Sequence, residues 1–167
     1  VSTLFFYSLG AVSLARATPA NVDAPGAALA ASVGVFAVGW ALTRGANLQK
    51  YWLRTRPHAR VFLGCVPQRT VPGLPRVLCS GWWGLARHVN YLGEILQGLA
   101  VALPGACGGP GAGPLARLLP ALYPLFYVAL FVPRQADDEA LCRAKYGHEL
   151  WARYEALVPY RIVPFLY

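Results

Sequence analysis

The sequence predicts an all-α fold, a polytopic bundle of transmembrane helices, on three observations. Of its 167 residues 56% are hydrophobic and 13% charged, and a mean hydropathy of +0.42 is too high for an ordinary soluble domain of this size. Residues 26–42 carry no charge, and an apolar run of about 17–25 residues is long enough to cross a bilayer as a helix. Residues 44–87 hold Arg44, Lys50, Arg54, Arg56, Arg60, Arg69, Arg76 and Arg87 without one acidic residue. These eight equal the whole formal net charge of +8.

In chain order, residues 1–14 read as the cut end of one membrane helix. The chain contains no methionine and opens on Val1 within an apolar run, so it reads as the C-terminal part of a longer protein. Arg16 follows that run instead of preceding it, which does not match a secretory signal. RATPANVDAP, residues 16–25, is a proline-containing turn, and residues 26–42 make the next crossing. Residues 95–107 and 118–132 are shorter apolar runs on either side of GGPGAGP. They predict a helical hairpin closed by a tight Gly/Pro connection, with polar groups carried into the bilayer boundary. Lys/Arg-rich loops stay on the cytoplasmic side. The basic loop 44–87 and the tail 133–167 are therefore expected in the cytoplasm, and the turns at 16–25 and 108–114 in the lumen.

Candidate chemistry lies near the membrane boundary. Cys65, Cys79, Cys107 and Cys142 lack CxxC or Cys/His ligand spacing, so reduced, incidental thiols and no metal site are expected. Lys50 and Arg54 stand four apart in RGANLQKYWLR and would share a helical face. Two like charges there oppose the helix by roughly 0.2–0.5 kcal/mol unless an anion lies between them; a phosphate-bearing ligand is one such anion, and two snorkelling side chains are the alternative. Arg134 and Asp138 have the same spacing and can form a surface ion pair. Asp137, Asp138 and Glu139 begin just past an apolar span, where carboxylates must find partners or water.

The stretch SGWWGLARHVNYLGE, residues 80–94, packs two tryptophans, Arg-His and Asn-Tyr pairs and a carboxylate against a hydrophobic run. Preceded by RGANLQK and followed by KYG, WARY and VPYRIVPFLY, it resembles the C-terminal half of the sterol reductases that act on ring double bonds. These are the delta(14)-sterol reductases, the lamin B receptor and 7-dehydrocholesterol reductase. The resemblance covers nearly all of residues 1–167, and the short spacing from Arg54 to Ser80 is most similar to the delta(14) enzymes. Val89 stands where those enzymes usually carry proline, and Glu94 where they carry aspartate. Pro133, Gln135 and Asp137 depart from a run that keeps Arg134, Asp138 and Glu139.

The resemblance implies an NADPH-dependent delta(14)-sterol reductase of cholesterol biosynthesis in the endoplasmic reticulum membrane, with sterol substrate and membrane lipids as partners and no nucleic acid. It implies cofactor contacts at Lys50, Arg54, Leu78, Trp83, Asn90, Tyr91, Asp138, Cys142, Arg143, Ala144, Lys145, Tyr146 and Tyr154. Asp138, Tyr91 and Tyr154 are the proton-path candidates. An Arg/Lys pair suits a phosphate, an indole can stack on a ring, and Asn offers a donor and an acceptor to a carboxamide. There is no GxGxxG after a strand, so the site would be built from helices and not from a Rossmann unit. Two alternatives have other expectations: a lamin B receptor-like scaffold of the inner nuclear membrane, and an isoprenylcysteine methyltransferase-like enzyme, which shares an RHxxY motif before a hydrophobic hairpin and would bind S-adenosylmethionine.

Overall fold

The computed structural model describes residues 26–107 and 113–167; the expected helix at 1–14, the turn at 16–25 and most of GGPGAGP lie outside them. The chain is mostly helical. Helix α1, Gly26–Thr55, has 30 residues and so extends about 45 Å at 1.5 Å per residue. A hydrocarbon core is only about 30 Å thick. Its uncharged first part can therefore span the core while the part carrying Arg44, Lys50 and Arg54 emerges. Pro57 disfavours helical geometry at the preceding Arg56, and Thr55 Oγ1 turns back to donate to the Tyr51 carbonyl at 3.0 Å.

The chain next forms two short antiparallel hairpins, which the all-α expectation did not include, within an otherwise helical chain. Strands β1, Val61–Phe62, and β2, Val66–Pro67, pair Val61 with Pro67 and Phe62 with Val66. Strands β3, Thr70–Val71, and β4, Leu74–Leu78, form a second sheet with an irregular register between Thr70 and Val71. Valines, Thr70 and Phe62 favour extended backbone, while Gly64 and Gly73 adopt positive φ at the reversals. Trp52 on α1 meets the Phe62 ring edge-on at 5.6 Å, anchoring the first hairpin.

After a 3₁₀ turn at Gly81–Gly84 come α2, Val89–Ala106, a short α3, Pro114–Leu118, and a second 3₁₀ turn at Leu119–Ala121. Helix α4, Leu122–Tyr146, continues through Pro133. Gly147, at φ +85°, separates it from α5, His148–Leu157. Among the described helices, α1 alone is long and apolar enough to cross a membrane. Helix α2 opens with Asn90, Tyr91, Glu94 and Gln97, and the second half of α4 is charged, so the two expected hairpin runs are parts of more polar helices.

The described residues form two compact units. In residues 26–39 with 94–130, Ser32 Oγ donates to the Ala100 carbonyl at 2.6 Å. A Cβ on Gly98 would lie 2.9 Å from the Tyr127 ring, so glycine permits this close approach, as small residues do between membrane helices. Leu29, Val33, Phe36, Leu115, Leu118, Leu122 and Leu125 point outward, an apolar surface suited to lipid or further apolar helices. In residues 40–93 with 131–167, one core cluster joins Ala46, Leu53, Leu78, Trp83, Ala86 and Val89. A second joins Val71, Leu74, Trp151, Tyr154 and Val158.

Candidate functional site

All the described site candidates lie in the second unit. One face of the second half of α1 carries Gly45, Ala46, Gln49, Lys50 and Leu53, and the SGWW turn is clamped to it. The Trp82 indole crosses Gly45 so closely that a Cβ there would lie 2.5 Å from its Nε1. Trp83 Nε1 donates to the Ala46 carbonyl at 2.8 Å. Gln49 Nε2 donates to the Ser80 carbonyl at 3.2 Å, and its Oε1 accepts from the Trp82 N–H at 3.1 Å. The half-buried Lys50 ammonium then lies 4.7 Å from the centre of the Trp83 ring, within cation–π range. Arg54, one turn on, is exposed.

The ARHVNY corner faces α4. The Tyr91 hydroxyl donates to Asp138 Oδ2, and Arg134 Nε donates to the same hydroxyl at 3.3 Å. The expected Arg134–Asp138 relation is thus made through Tyr91. The Tyr91 ring stacks on His88 at 5.1 Å and on Phe131 at 4.4 Å. Burial, and then the hydrogen bond to Asp138, push the Tyr91 hydroxyl above the ordinary phenol pKa, against a smaller opposing effect of Arg134. It holds its proton at neutral pH. The Asn90 carbonyl accepts from Thr43 Oγ1 at 3.2 Å, which ties this corner to α1 as well. Burial and then Arg54 push the Lys50 ammonium below the ordinary lysine pKa, with Cys142 and Asp138 acting in the opposite direction, so the Tyr91 corner lies within electrostatic reach of the α1 face.

Beside it lies a buried charge network that sequence reasoning did not assign. Arg87 Nε meets Glu139 Oε1 at 2.8 Å. Around the same carboxylate stand His88 at 3.7 Å, Arg143 at 3.6 Å and Arg161 at 3.8 Å. Burial pushes the Glu139 carboxyl up, but His88 and Arg87 more than reverse this and hold it at about 2. Arg87 Nη1 also donates to the Val158 carbonyl at 2.8 Å and the Pro159 carbonyl at 3.1 Å, docking the VPYR segment. The available signal was the carboxylate triplet just past an apolar run, which required partners.

The remaining candidates divide. Cys142 is half-buried, its thiol pushed up by burial, and shares the site. Arg143 is held between Glu139 and Glu155. Ala144 and Lys145 are exposed, while Tyr146 stacks on Trp151 at 6.2 Å. Leu78 is a core residue, 4% exposed. Trp83 has its N–H committed to Ala46, leaving the ring face under Lys50 as its free chemistry. Tyr154 is buried in the second core cluster, and that burial raises its hydroxyl well above the ordinary phenol range. Among the described residues, no cluster of three or more His, Cys, Asp or Glu could hold a metal ion.

The sequence profile of the ergosterol biosynthesis ERG4/ERG24 family matches residues 1–167. The chain is 43% identical over 130 residues to delta(14)-sterol reductase TM7SF2 of Mus musculus, covering 78% of this chain and 29% of that protein. It is 37% identical over 165 residues to a delta(14)-sterol reductase of Methylotuvimicrobium alcaliphilum, covering 98% and 35%. With delta(14)-sterol reductase LBR of Gallus gallus it shares 38% over 159 residues, covering 93% and 22%. The chain thus spans about a third or less of the length of these curated relatives.

Proposed function

The chain belongs to the ergosterol biosynthesis ERG4/ERG24 family, and on that premise we propose that it is the cofactor-holding C-terminal part of an NADPH-dependent delta(14)-sterol reductase of the endoplasmic reticulum membrane. The substrate is a conjugated sterol diene on the route to cholesterol. Family membership favours this reading over the methyltransferase-like one, and the relatives' names give the scaffold reading no separate support.

The observation that carries it is the setting of Lys50. A half-buried ammonium lies on an indole face, with the Arg54 guanidinium one turn away on the same helix. Two like charges at that spacing favour an anion between them, and the donor set suits the phosphates of NADPH. Lys50 and Arg54 would hold those phosphates, with Trp83, Asn90, Tyr91 and residues 142–146 along the rest of the molecule. NADPH, when bound, supplies the hydride.

The chain's own groups hold the proton. The Tyr91 hydroxyl, fixed by Asp138 and Arg134 and stacked between His88 and Phe131, retains a proton at neutral pH and can release it as charge develops on a partner. Asp138 orients that hydroxyl. Tyr154, sealed in a core cluster, is less suited to this role than Tyr91.

The test uses the full-length protein in lipid nanodiscs, with NADPH binding measured by equilibrium dialysis. Each charge-assisted contact is worth about 1.5–3 kcal/mol, so Lys50→Ala and Arg54→Ala should each weaken NADPH binding at least tenfold. Unchanged binding in both variants overturns the reading and leaves two snorkelling side chains.

A further inference from the structure

We propose that Gln49 is the positioning residue that sets the Trp83 ring beneath Lys50, and so tunes phosphate recognition without touching the cofactor. This rests on the NADPH reading above. Gln49 is fully buried although it is polar, and both ends of its carboxamide are used: Nε2 on the Ser80 carbonyl, Oε1 on the Trp82 N–H. These two backbone groups flank Gly81, whose φ of +62° belongs to the left-handed region that favours glycine. A Cβ on Gly81 would lie 2.6 Å from Gln49 Nε2, so the amide lies flat against a bare backbone.

Side-chain chemistry explains why this residue is suited to the place. A carboxamide presents a donor and an acceptor from one end. An apolar side chain of similar length would take the side-chain donor from the buried Ser80 carbonyl and the acceptor from the part-buried Trp82 N–H, and an ionised glutamate would set an acceptor against the Ser80 carbonyl. The turn is held to α1 by two pins. One is the Ala46 carbonyl under Trp83 Nε1, a backbone group; the other is Gln49. Ser80 Oγ in turn donates to the Pro67 carbonyl and accepts from the Arg69 N–H, both at 2.7 Å, so the hairpins follow the turn. Gln49 directly precedes Lys50 on α1, and the turn it holds carries Lys50's aromatic partner. Loosening the pin lets Trp83 slide from under the ammonium without removing any group that meets the cofactor.

The experiment is a thermodynamic cycle on NADPH dissociation constants, measured by equilibrium dialysis on full-length protein in nanodiscs. Gln49→Met should weaken binding about tenfold, and in a Lys50→Ala background it should add less than twofold, because its effect passes through Lys50. Gln49→Glu supplies a second readout. Its protonated carboxyl regains one donor and one acceptor, so its affinity relative to wild type should recover as pH falls, whereas Gln49→Met should show no recovery. Wild-type affinity in folded Gln49→Met, or full additivity with Lys50→Ala, overturns the proposal. If Gln49→Met does not accumulate, Gln49→Glu and the shorter amide of Gln49→Asn are run through the same cycle and judged by the same criteria. Normal NADPH binding by Lys50→Ala alone is a different result, which overturns the cofactor reading itself.

Discussion

Arg87 Nε meets Glu139 Oε1 at 2.8 Å, with the two side chains 4% and 2% exposed. Residues 52 apart in sequence are thereby joined in the protein interior. The pair stands beside the Tyr91 corner, since Arg87 lies just before α2, in the same RHVNY stretch as Tyr91, and Glu139 follows Asp138.

Removing one partner of a buried pair strands the other charge and costs about 3–5 kcal/mol. Glu139→Gln is accordingly expected to lower the thermal unfolding midpoint markedly, read by tryptophan fluorescence in detergent or nanodiscs. An unshifted midpoint would mean that the arginines find other carboxylates. The pH dependence has a definite sign. Glu139 falls from an ordinary 4.5 to about 2 in the folded chain, so its contribution is complete above about 4.5 and is lost as pH falls towards 2. Wild type should lose up to about 3 kcal/mol across that window, and Glu139→Gln should lack this part of the acid sensitivity.

Asp138 should matter more than its neighbour. It accepts the Tyr91 hydrogen bond, whereas Asp137 is exposed and rotated by about 100° on the same helix. Asp138→Asn is expected to cut sterol reduction tenfold or more, roughly 1.4 kcal/mol at least, with folded protein retained. Asp137→Asn should be nearly silent. Equal activities in a microsomal assay with a conjugated sterol diene would reduce both aspartates to surface charge.

Gly45 should tolerate no side chain. A Cβ there would meet Trp82 at 2.5 Å, and overpacking of this kind costs about 1–3 kcal/mol. Gly45→Val should therefore lower stability and shift tryptophan emission as the indole is displaced. Gly26→Ala, where a Cβ meets nothing within 4 Å, is the matched control, and equal behaviour of the two variants would refute the close packing.

Orientation can be read with a native thiol. Cys65 is exposed at the reversal of the first hairpin, within the basic loop, so a membrane-impermeant maleimide should label it in sealed microsomes without permeabilisation. Protection until detergent is added would place the loop in the lumen and reverse the predicted topology.

The sequence by itself determined whatever depends on neighbours along the chain. The uncharged run at 26–42 announced a helix of membrane-crossing length, because length and apolarity are local properties. The four-residue spacing put Lys50 and Arg54 on one face, because helical pitch is fixed. Residue types marked the Tyr91 corner as chemistry, and its ordered motifs matched the family that the profile comparison identifies. The tertiary structure decided what depends on non-local contacts. Strands β1, β2 and β3 have two residues each, too short for alternation to register, so the hairpins within 61–78 emerge from glycine reversals and from packing, the first on Trp52 and the second on Trp151 and Tyr154. Gln49 is an ordinary polar residue in its motif until the turn at Ser80–Trp82 folds against it. Glu139 is one of three consecutive carboxylates, and only folding selects it for the arginines. Tyr154 shares its residue type with Tyr91, yet its hydroxyl is enclosed in a core whereas that of Tyr91 meets Asp138. Burial and long-range pairing set the chemistry of these side chains, and no window along the chain contains both partners.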